Sequence, residues 1–395
     1  MKLVKEIEFG KRKLVLETGV LAKQASGSCI LRYGDTVMLV AATSSKGVEE
    51  DRGFFPLSVE YREKYYASGK IPGGFFKREA RPSEKEILAS RLTDRPLRPL
   101  FEDGFNNETR IDITVLSYDE VNEPDVLAAL GASYALSLSD IPFNGPIAEV
   151  RVVKSEGEYI VNPTPEQIEN ATLNLMVGAS YENISMVEGE SKEVSEEEIV
   201  EALKVAHDAI KMLCELQNEL LKKVGSQENR EYSHEKSDDD LKNDIIKKTY
   251  DDLYKIAAKG IANKKKRGES FKEVREKYLE SVGAADNDDF DEFLFNKYFH
   301  DVEKDAIRNS VLDSKVRLDG RKLDEIRPIW SEIDYLPNAH GSAVFTRGET
   351  QAIVVTTLGT AEDEQYIDSL DGTKKQNFML HYNFPPFSVG EVGRI

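Results

Sequence analysis

The strongest constraint on the fold is an internal duplication. Residues 27–43 read GSCILRYGDTVMLVAAT, and residues 341–357 read GSAVFTRGETQAIVVTT, so the two segments align without a gap. Most positions that differ exchange similar residues. The identical pairs are Gly27/Gly341, Ser28/Ser342, Gly34/Gly348, Thr36/Thr350, Val40/Val354 and Thr43/Thr357. A repeat of this length, occurring twice, is typical of two copies of one domain with an insert between them rather than of a solenoid.

The likeness continues on both sides of the aligned segments. Gly10-Lys11-Arg12 precedes the first copy as Gly320-Arg321-Lys322 precedes the second, and FPLSVEY (55–61) is echoed by FMLHYNF (378–384). The second copy should therefore repeat the strands of the first. We predict these strands at 343–346, 351–357 and 378–384.

Alternating and helical apolar patterns indicate an α+β fold, with strands first and helices later. Strands are predicted at 14–17, 29–33, 37–43, 55–62, 111–117, 148–153, 159–161, 173–177 and 185–188. A capping box at Ser83 and Glu86 predicts a helix with Ile87, Leu88 and Leu92 as its apolar stripe. Further helices are predicted at 125–139 and from a second capping box at Ser195 to residue 225.

The composition changes after residue 225, where SQENREYSHEKSDDD reads as a polar linker and helical patterns then dominate to residue 312. We therefore predict a first core at 1–225, a linker at 226–240, an all-helical domain at 241–312 and a second copy of the core at 313–395. The chain contains no apolar run of membrane-spanning length and no signal-peptide pattern. With only two cysteines, these features favour a reducing cytoplasm.

The net charge of −19 argues against a protein that coats nucleic acid with its whole surface. The charge is segregated, however, because residues 61–99 carry ten Lys and Arg against five Asp and Glu. A local basic surface is therefore compatible with the acidic whole.

Within this segment, a Gly-Gly turn leads into adjacent aromatic and basic side chains: Phe75, Phe76, Lys77, Arg78 and Arg81. Aromatic rings that stack on bases, together with cations that hold phosphates, are what single-stranded nucleic acid binding requires. The alternative is a small hydrophobic cluster under a loop, with incidental charges. The residues alone favour the two interpretations equally.

Other candidate residues have structural interpretations. Cys29 is predicted to be a small buried side chain rather than a reactive thiol. Asp94, Arg95 and Arg98 are predicted to form structural ion pairs. The run NKKKRG at 263–268 is predicted to be a solvated loop between helices rather than a phosphate contact, and the acidic runs at 238–240 and 286–291 to be solvated charge at helix starts or in linkers. The five histidines lack metal-ligand spacing, and we assign no metal site in this chain.

Several of these motifs, in fixed order, resemble bacterial polynucleotide phosphorylase across essentially the whole chain. They are GGFFKREARPSEKE and SRLTDRPLRPLF in the first copy, IPFNGPIAEVRV at 141–152, RLDGR at 317–321, HGSAVFTRGETQ at 340–351 and HYNFPPFSVGE at 381–391. The resemblance implies two RNase PH-like cores, built of ribosomal protein S5 domain 2-like βαβα units, on either side of an all-α domain. It also implies a homotrimer with a central pore.

The function implied by the resemblance is 3′-to-5′ phosphorolysis of single-stranded RNA, including mRNA, in which inorganic phosphate releases nucleoside diphosphates reversibly with Mg²⁺. In that family the loop matching Phe75, Phe76, Lys77, Arg78 and Arg81 grips RNA, although the family commonly has Arg where this chain has Lys77. Proteins of an RNA-degradation complex are candidate partners.

The family's phosphate-binding and metal-binding residues are expected beyond Ile395. We therefore expect the 395-residue chain to be inactive alone, and its C-terminal segment to be mobile or aggregation-prone because the sheet there would be uncovered. The alternative is a catalytically silent RNA-binding or scaffold fragment.

Overall fold

A computed structural model of the protein describes residues 2–47, 54–73, 77–79, 81–225, 227–232, 236–287, 290–370 and 372–393. These residues divide into two compact units, one comprising Met1–Glu235 with Gln365–Ile395 and the other Lys236–Glu364. The strands are β1 Leu3–Phe9, β2 Arg12–Thr18, β3 Gly27–Tyr33, β4 Thr36–Ser44, β5 Leu57–Glu63, β6 Thr109–Ser117, β7 Ile147–Ser155, β8 Glu158–Val161, β9 Leu173–Ser180, β10 Ile184–Ser191, β11 Ile329–Ile333, β12 Gly341–Arg347, β13 Thr350–Thr356, β14 Gln365–Ser369 and β15 Gly372–Gln376. The α-helices are α1 Glu84–Leu97, α2 Ala128–Ser137, α3 Pro165–Glu169, α4 Glu196–Val224, α5 Asp239–Ala258, α6 Lys264–Ser281 and α7 Glu292–Ser314. The predicted α+β fold class is confirmed.

The first unit contains a six-stranded sheet in the order β1-β2-β3-β4-β6-β5 and a four-stranded sheet in the order β10-β9-β7-β8. Helix α2 is buried along its length and contacts β3 and β4 of one sheet and β7 of the other. Gly131 permits this approach, because a Cβ there would lie 2.6 Å from both Leu31 Cδ1 and Val40 Cγ2. The core of the unit therefore lies around this helix.

Helix α4 covers the second sheet. The predicted capping box at Ser195 and Glu198 is present, and the apolar stripe of the helix buries Ala206, Ile210 and Leu213. On the same face, Gln217 accepts a hydrogen bond from the Ser133 hydroxyl (2.9 Å) and donates one to the Ile147 carbonyl (2.8 Å). Burial of this amide costs little because both of its polar ends are satisfied.

The duplication holds at the level of strand register. In the first copy β3 and β4 pair antiparallel from Gly27↔Ala42 to Tyr33↔Thr36, and in the second β12 and β13 pair from Gly341↔Thr356 to Arg347↔Thr350. Each position in the second hairpin is offset by the same number of residues from its counterpart in the first. The two copies therefore form the same hairpin.

The burial of the two hairpins differs. Val40 in β4 has none of its surface exposed, whereas its counterpart Val354 in β13 is 56% exposed. The three-stranded sheet β11-β12-β13 buries few side chains among the described residues, Val344 being one of them. The exposure is in line with the expectation of an aggregation-prone segment, which remains a prediction.

One predicted strand of the second copy is wrong. Residues 378–384 are not a strand, although their first-copy counterpart forms most of β5. Strand β5 is held by parallel pairing with β6, and in the part of the chain that the structure describes residues 378–384 have no such neighbour. Instead, the preceding residues form the β14–β15 hairpin, which was not predicted from the sequence. Strands β1 and β11 and the short helix α3 were not predicted either.

Helices α5, α6 and α7 pack around the buried rings of Phe295, Tyr278 and Phe299. The prediction of a loop at 263–268 is wrong, because Asn263 caps α6 through a hydrogen bond from the Lys266 amide (2.9 Å) and the lysines form its first turn. These lysines are nevertheless solvent-exposed, as predicted. Asp238 and Asp291 cap α5 and α7, which confirms their assignment to helix starts.

None of the helices that the structure describes is both long enough and apolar enough to cross a membrane. Cys29 is buried, as predicted, and lies 3.3 Å from the Gly131 carbonyl oxygen. Burial raises the pKa of its thiol far above the ordinary range, so the side chain stays protonated and unreactive.

Candidate nucleic-acid interface

The basic segment lies between β5 and β6 of the first unit. A short 3₁₀ helix at Tyr65–Ser68 follows β5, and α1 begins after Ser83. Phe75 and Phe76 lie outside the described residues, so their predicted role remains a prediction. Lys77, Arg78 and Arg81 are described, and all three are solvent-exposed.

The start of α1 is fixed by the predicted capping box. The Glu86 amide donates to Ser83 Oγ (3.2 Å), and the Ser83 amide donates to Glu86 Oε2 (2.6 Å). The other carboxylate oxygen of Glu86 accepts from the amide of Glu63 at the end of β5 (2.9 Å). One buried carboxylate therefore holds the start of α1 against β5. It also restricts the position of Arg81, which lies two residues before Ser83.

The predicted apolar stripe of α1 is wrong at two of its three positions. Ile87 and Leu88 are exposed, whereas Leu92 is partly buried and packs against the core. The fully buried positions include Ala89, Thr93 and Leu97. Thr93 can be buried because its hydroxyl donates to the Ala89 carbonyl (3.0 Å). Helical spacing identified the helix correctly but not the face that it buries, since a hydroxyl bonded to its own helix packs like an apolar group.

Most of the ten cations of the segment have structural partners. Arg98 forms a bidentate pair with Asp94 (both 2.7 Å) and Arg95 pairs with Glu188, which confirms the predicted ion pairs. The others with acidic or carbonyl partners are Arg62 (Glu86), Lys64 (Glu79), Lys70 (carbonyls of residues 369 and 370) and Lys85 (Glu63 and Glu123).

Four cations remain available. Lys77, Arg78, Arg81 and Arg91 are exposed and have no acidic partner within the described parts of the chain. Arg91 was not among the residues predicted from the sequence. It lies four residues after Ile87 and three after Leu88, so the three side chains share one face of α1. That face was predicted to be buried, and Arg91 was therefore not considered as an RNA contact.

Lys77 adopts a left-handed backbone conformation, with φ of 50°. A residue other than glycine pays about 1 kcal/mol or more for this conformation. Eight other non-glycine residues of the described chain also have a positive φ, so this conformation by itself does not mark Lys77 as functional.

The β14–β15 hairpin braces the chain that leads into the basic loop. Leu370 at its tip is 3% exposed and belongs to the first unit's core. The Tyr65 hydroxyl donates to the Asp368 carbonyl (3.2 Å), and the Lys70 ammonium donates to the Leu370 carbonyl. At Gly73 a Cβ would lie 2.7 Å from Asp368 Oδ2. A segment far along the chain therefore fixes one side of the loop.

The residues that the structure describes include no group of three His, Cys, Asp or Glu side chains placed to hold a metal ion. We assign no chemical step to a metal held by these residues.

Family models match three parts of the chain. Domain 1 of the 3′ exoribonuclease family matches residues 10–142 and 325–395, and domain 2 of that family matches 145–209. The RNA binding domain of polyribonucleotide nucleotidyltransferase matches residues 240–322.

Among curated proteins, the polyribonucleotide nucleotidyltransferase of Cytophaga hutchinsonii is 53% identical over 96% of this chain and 53% of its own length. That of Bacteroides fragilis is 51% identical over 99% of this chain and 55% of its own length. The chain therefore spans about half the length of these relatives. A solved structure titled "archaeoglobus fulgidus exosome with RNA bound to the active site" aligns with a TM-score of 0.43 at 18% identity, over 52% of this chain and 87% of that one.

The domain 1 model alone covers more than half of the chain, on both sides of the helical insert, and thus reproduces the duplication found in the sequence. The insert itself carries the match to the polyribonucleotide nucleotidyltransferase domain. The chain belongs to the 3′ exoribonuclease family, and its domains follow the order of a polyribonucleotide nucleotidyltransferase.

Proposed function

We propose that this chain grips single-stranded RNA for 3′-to-5′ phosphorolysis, in which inorganic phosphate releases nucleoside diphosphates. The observation that carries the proposal is the set of exposed cations without acidic partners, Lys77, Arg78, Arg81 and Arg91, in a chain of the 3′ exoribonuclease family. Mg²⁺ and phosphate are part of the proposed reaction through the family. Their ligands are not assigned to residues of this chain.

The physical basis of the grip is electrostatic and local. When protein cations bind the phosphates of an RNA strand, the counterions of the strand are released, and their gain in entropy favours binding. Cations without an acidic partner can bind phosphates without first breaking an ion pair. Phe75 and Phe76 would stack on bases, and the brace at Tyr65 and Lys70 would limit the loop's loss of entropy on binding.

We propose the domain boundaries at 1–225, 241–312 and 313–395, with a linker at 226–240. We also propose that the protein acts in the cytoplasm as a homotrimer in which the basic loops of three chains line a common path for RNA. Family membership and the position of the loop support this assembly.

The first prediction concerns RNA affinity. A variant with Lys77, Arg78 and Arg81 changed to Gln should bind poly(A) more weakly at low salt, and its plot of log affinity against log salt should be shallower by about 2, at roughly 0.7 per lost phosphate contact. Phe76→Ala should cost about 1–3 kcal/mol of binding free energy through lost stacking. Fluorescence anisotropy across a salt series measures both effects.

The matched control is Arg95→Gln, which removes a charge from the same segment but from a side chain paired with Glu188. It should leave the salt slope nearly unchanged. If the salt slope of the triple variant equalled that of Arg95→Gln, the loop would not be part of the RNA-binding surface.

The second prediction separates the enzyme from a silent RNA-binding or scaffold protein. Purified 1–395 incubated with poly(A), phosphate and Mg²⁺ should release no nucleoside diphosphate, whereas a chain of the relatives' full length should release it. Release by 1–395 at a comparable rate would place a catalytic site in residues to which we assign none. No release by either chain would favour the scaffold.

A further inference from the structure

The second unit contains a cleft of about 270 Å³ beside the start of the second copy. Four arginines line it: Arg317, Arg321, Arg327 and Arg347. Three come from the loop that precedes β11, and Arg347 ends β12. This concentration of guanidinium groups is unexpected in a protein with a net charge of −19.

Three of the guanidinium groups are held in place by the loop itself. Asp319 accepts from Arg321 Nε (3.1 and 3.0 Å to its two oxygens) and from Arg327 Nε (3.3 Å). Arg321 also donates to the Glu325 carbonyl (2.7 Å), and Arg317 donates to the Leu323 carbonyl. Since a guanidinium has five N–H donors, each of the three retains donors after these bonds.

Arg347 differs from the other three. It is exposed, and its guanidinium group has no ion-pair or hydrogen-bond partner in the described ranges of the chain. Two acidic residues, Asp324 and Glu325, also line the cleft, and Asp319 lies outside the lining but pairs with Arg321 and Arg327. Three carboxylates therefore stand against four guanidinium groups. The cleft therefore keeps a net positive charge and one free, uncommitted arginine.

In the first copy, the position equivalent to Arg347 is buried. The counterpart of Arg347 is Tyr33, which is 1% exposed and donates its hydroxyl to the Phe9 carbonyl (3.1 Å). Arg12 lies over the Tyr33 ring, 5.6 Å from its centroid. The same hairpin position therefore holds a buried, hydrogen-bonded tyrosine in the first copy and an exposed arginine in an arginine-lined cleft in the second.

We propose that this cleft binds the diphosphate group of a small anion. Guanidinium groups bind phosphate oxygens through paired N–H donors, and several of them converging suit a ligand with two or more phosphates. The volume lies just below the usual range for small-molecule sites, about 300–1,000 Å³, so the ligand's charged group must be compact. Among the described residues, no aromatic ring lines the cleft to stack on a base, which disfavours single-stranded RNA as the occupant.

The test is titration of the 395-residue chain with inorganic pyrophosphate, and in parallel with ADP, without divalent metal. Calorimetry should show one site per chain that saturates below about 1 mM. Trp330, the only tryptophan, is paired with Thr346 beside Arg347, and its emission should change on binding. Tighter binding of pyrophosphate would identify the free inorganic ion as the ligand, and tighter binding of ADP a nucleotide.

Arg347→Tyr, which installs the first copy's residue, and Arg347→Ala should each weaken binding by about tenfold or more. Unchanged far-UV circular dichroism and Trp330 emission without ligand would show that the variants fold. The matched control is Arg308→Ala, which removes an exposed arginine from α7 of the same unit and should change affinity by less than about twofold. Arg78→Gln should also leave this affinity unchanged, which separates the cleft from the proposed RNA loop.

Three results would overturn the proposal. The first is equal weakening by Arg308→Ala and Arg347→Tyr, since that would reduce the effect to overall charge. The second is the absence of saturable binding by both ligands, since the cleft would then hold no diphosphate. The third is displacement of pyrophosphate by a short oligonucleotide at lower concentration than by ADP, since the cleft would then serve RNA instead.

Discussion

Gly27→Ala is expected to destabilise the first unit by about 3 kcal/mol or more, whereas Gly341→Ala at the equivalent position should change stability by less than about 1 kcal/mol. The two glycines are identical in the aligned repeat, and both begin the first strand of the duplicated hairpin. A Cβ on Gly27 would lie 2.0 Å from the Ala135 carbonyl oxygen and 3.2 Å from Ser139 Cβ. A Cβ on Gly341 would meet only Thr356, at 3.6 Å.

The difference arises from α2. In the first copy this helix packs against β3, and the obstructing atom is backbone, so no side chain can rotate away from the added methyl group. The strand and the helix must separate, which opens the core around α2. At Gly341 the methyl group makes an ordinary contact, and alanine also reduces the conformational freedom of the unfolded chain, which favours the folded state by about 0.4–1 kcal/mol.

Urea denaturation followed by far-UV circular dichroism measures both variants, with the six-stranded sheet and α4 contributing most of the first unit's signal. Trp330 emission reports the second unit separately, because it lies in β11. Equal shifts in the denaturation midpoint for the two variants would mean that β3 and α2 are not in close contact. A larger loss for Gly341→Ala would contradict the packing of both copies.

Local signals in the sequence predicted much of the fold. The hairpin repeat and the capping boxes at Ser83 and Ser195 were found correctly, because each depends on residues close together in the chain. The errors have two sources. Residues 378–384 have strand-like alternation but no neighbouring strand in the described structure, so a distant segment decides their conformation. The error at 264–266 is local, because the lysines form a helical turn that the neighbouring Asn263 caps.

The candidate site follows the same division. Sequence alone identified the basic loop, and the structure leaves Lys77, Arg78 and Arg81 exposed. The sequence also predicted ion pairs for Arg95 and Arg98, but not the partner Glu188 on β10, which is distant in the chain. It gave no sign that Lys70 is bound by carbonyl groups of the β14–β15 hairpin. Arg91 was missed for a related reason, because the buried face of α1 is set by its contact with β5.

Glu149 is a buried carboxyl group in the first unit, where its ionised form is unfavourable. It lies in β7 with 1% of its surface exposed, and its Oε1 is buried without a hydrogen-bond partner in the described structure. Asp125 and Arg151 form a partly buried ion pair (2.6 Å). Burial, and then the negative charge of Asp125, raise the pKa of Glu149 to about 8, although Arg151 and Arg95 oppose the shift.

This raised pKa makes stability depend on pH with a definite sign. Between about 4.5, the ordinary value, and about 8, the folded protein keeps a proton on Glu149 that the unfolded chain has lost. Stability is therefore fully present at acidic pH and falls as pH rises through this window, by about 1.4 kcal/mol per unit at most. Above pH 8 the carboxylate is charged in both states, and the loss is complete.

Glu149→Gln should remove this dependence. The amide has nearly the shape of the protonated carboxyl group and cannot ionise, so the variant should be close to wild type near pH 5 and more stable by several kcal/mol at pH 9. Hydrogen exchange of the β7 amides, corrected for intrinsic rates, measures the local free energy of opening at each pH. Glu158→Gln, an exposed carboxylate on the neighbouring strand β8, is the matched control and should keep the wild-type slope. If Glu149→Gln kept that slope too, Glu149 would have to be ionised in the folded protein at neutral pH, held by Arg151 strongly enough to offset its burial.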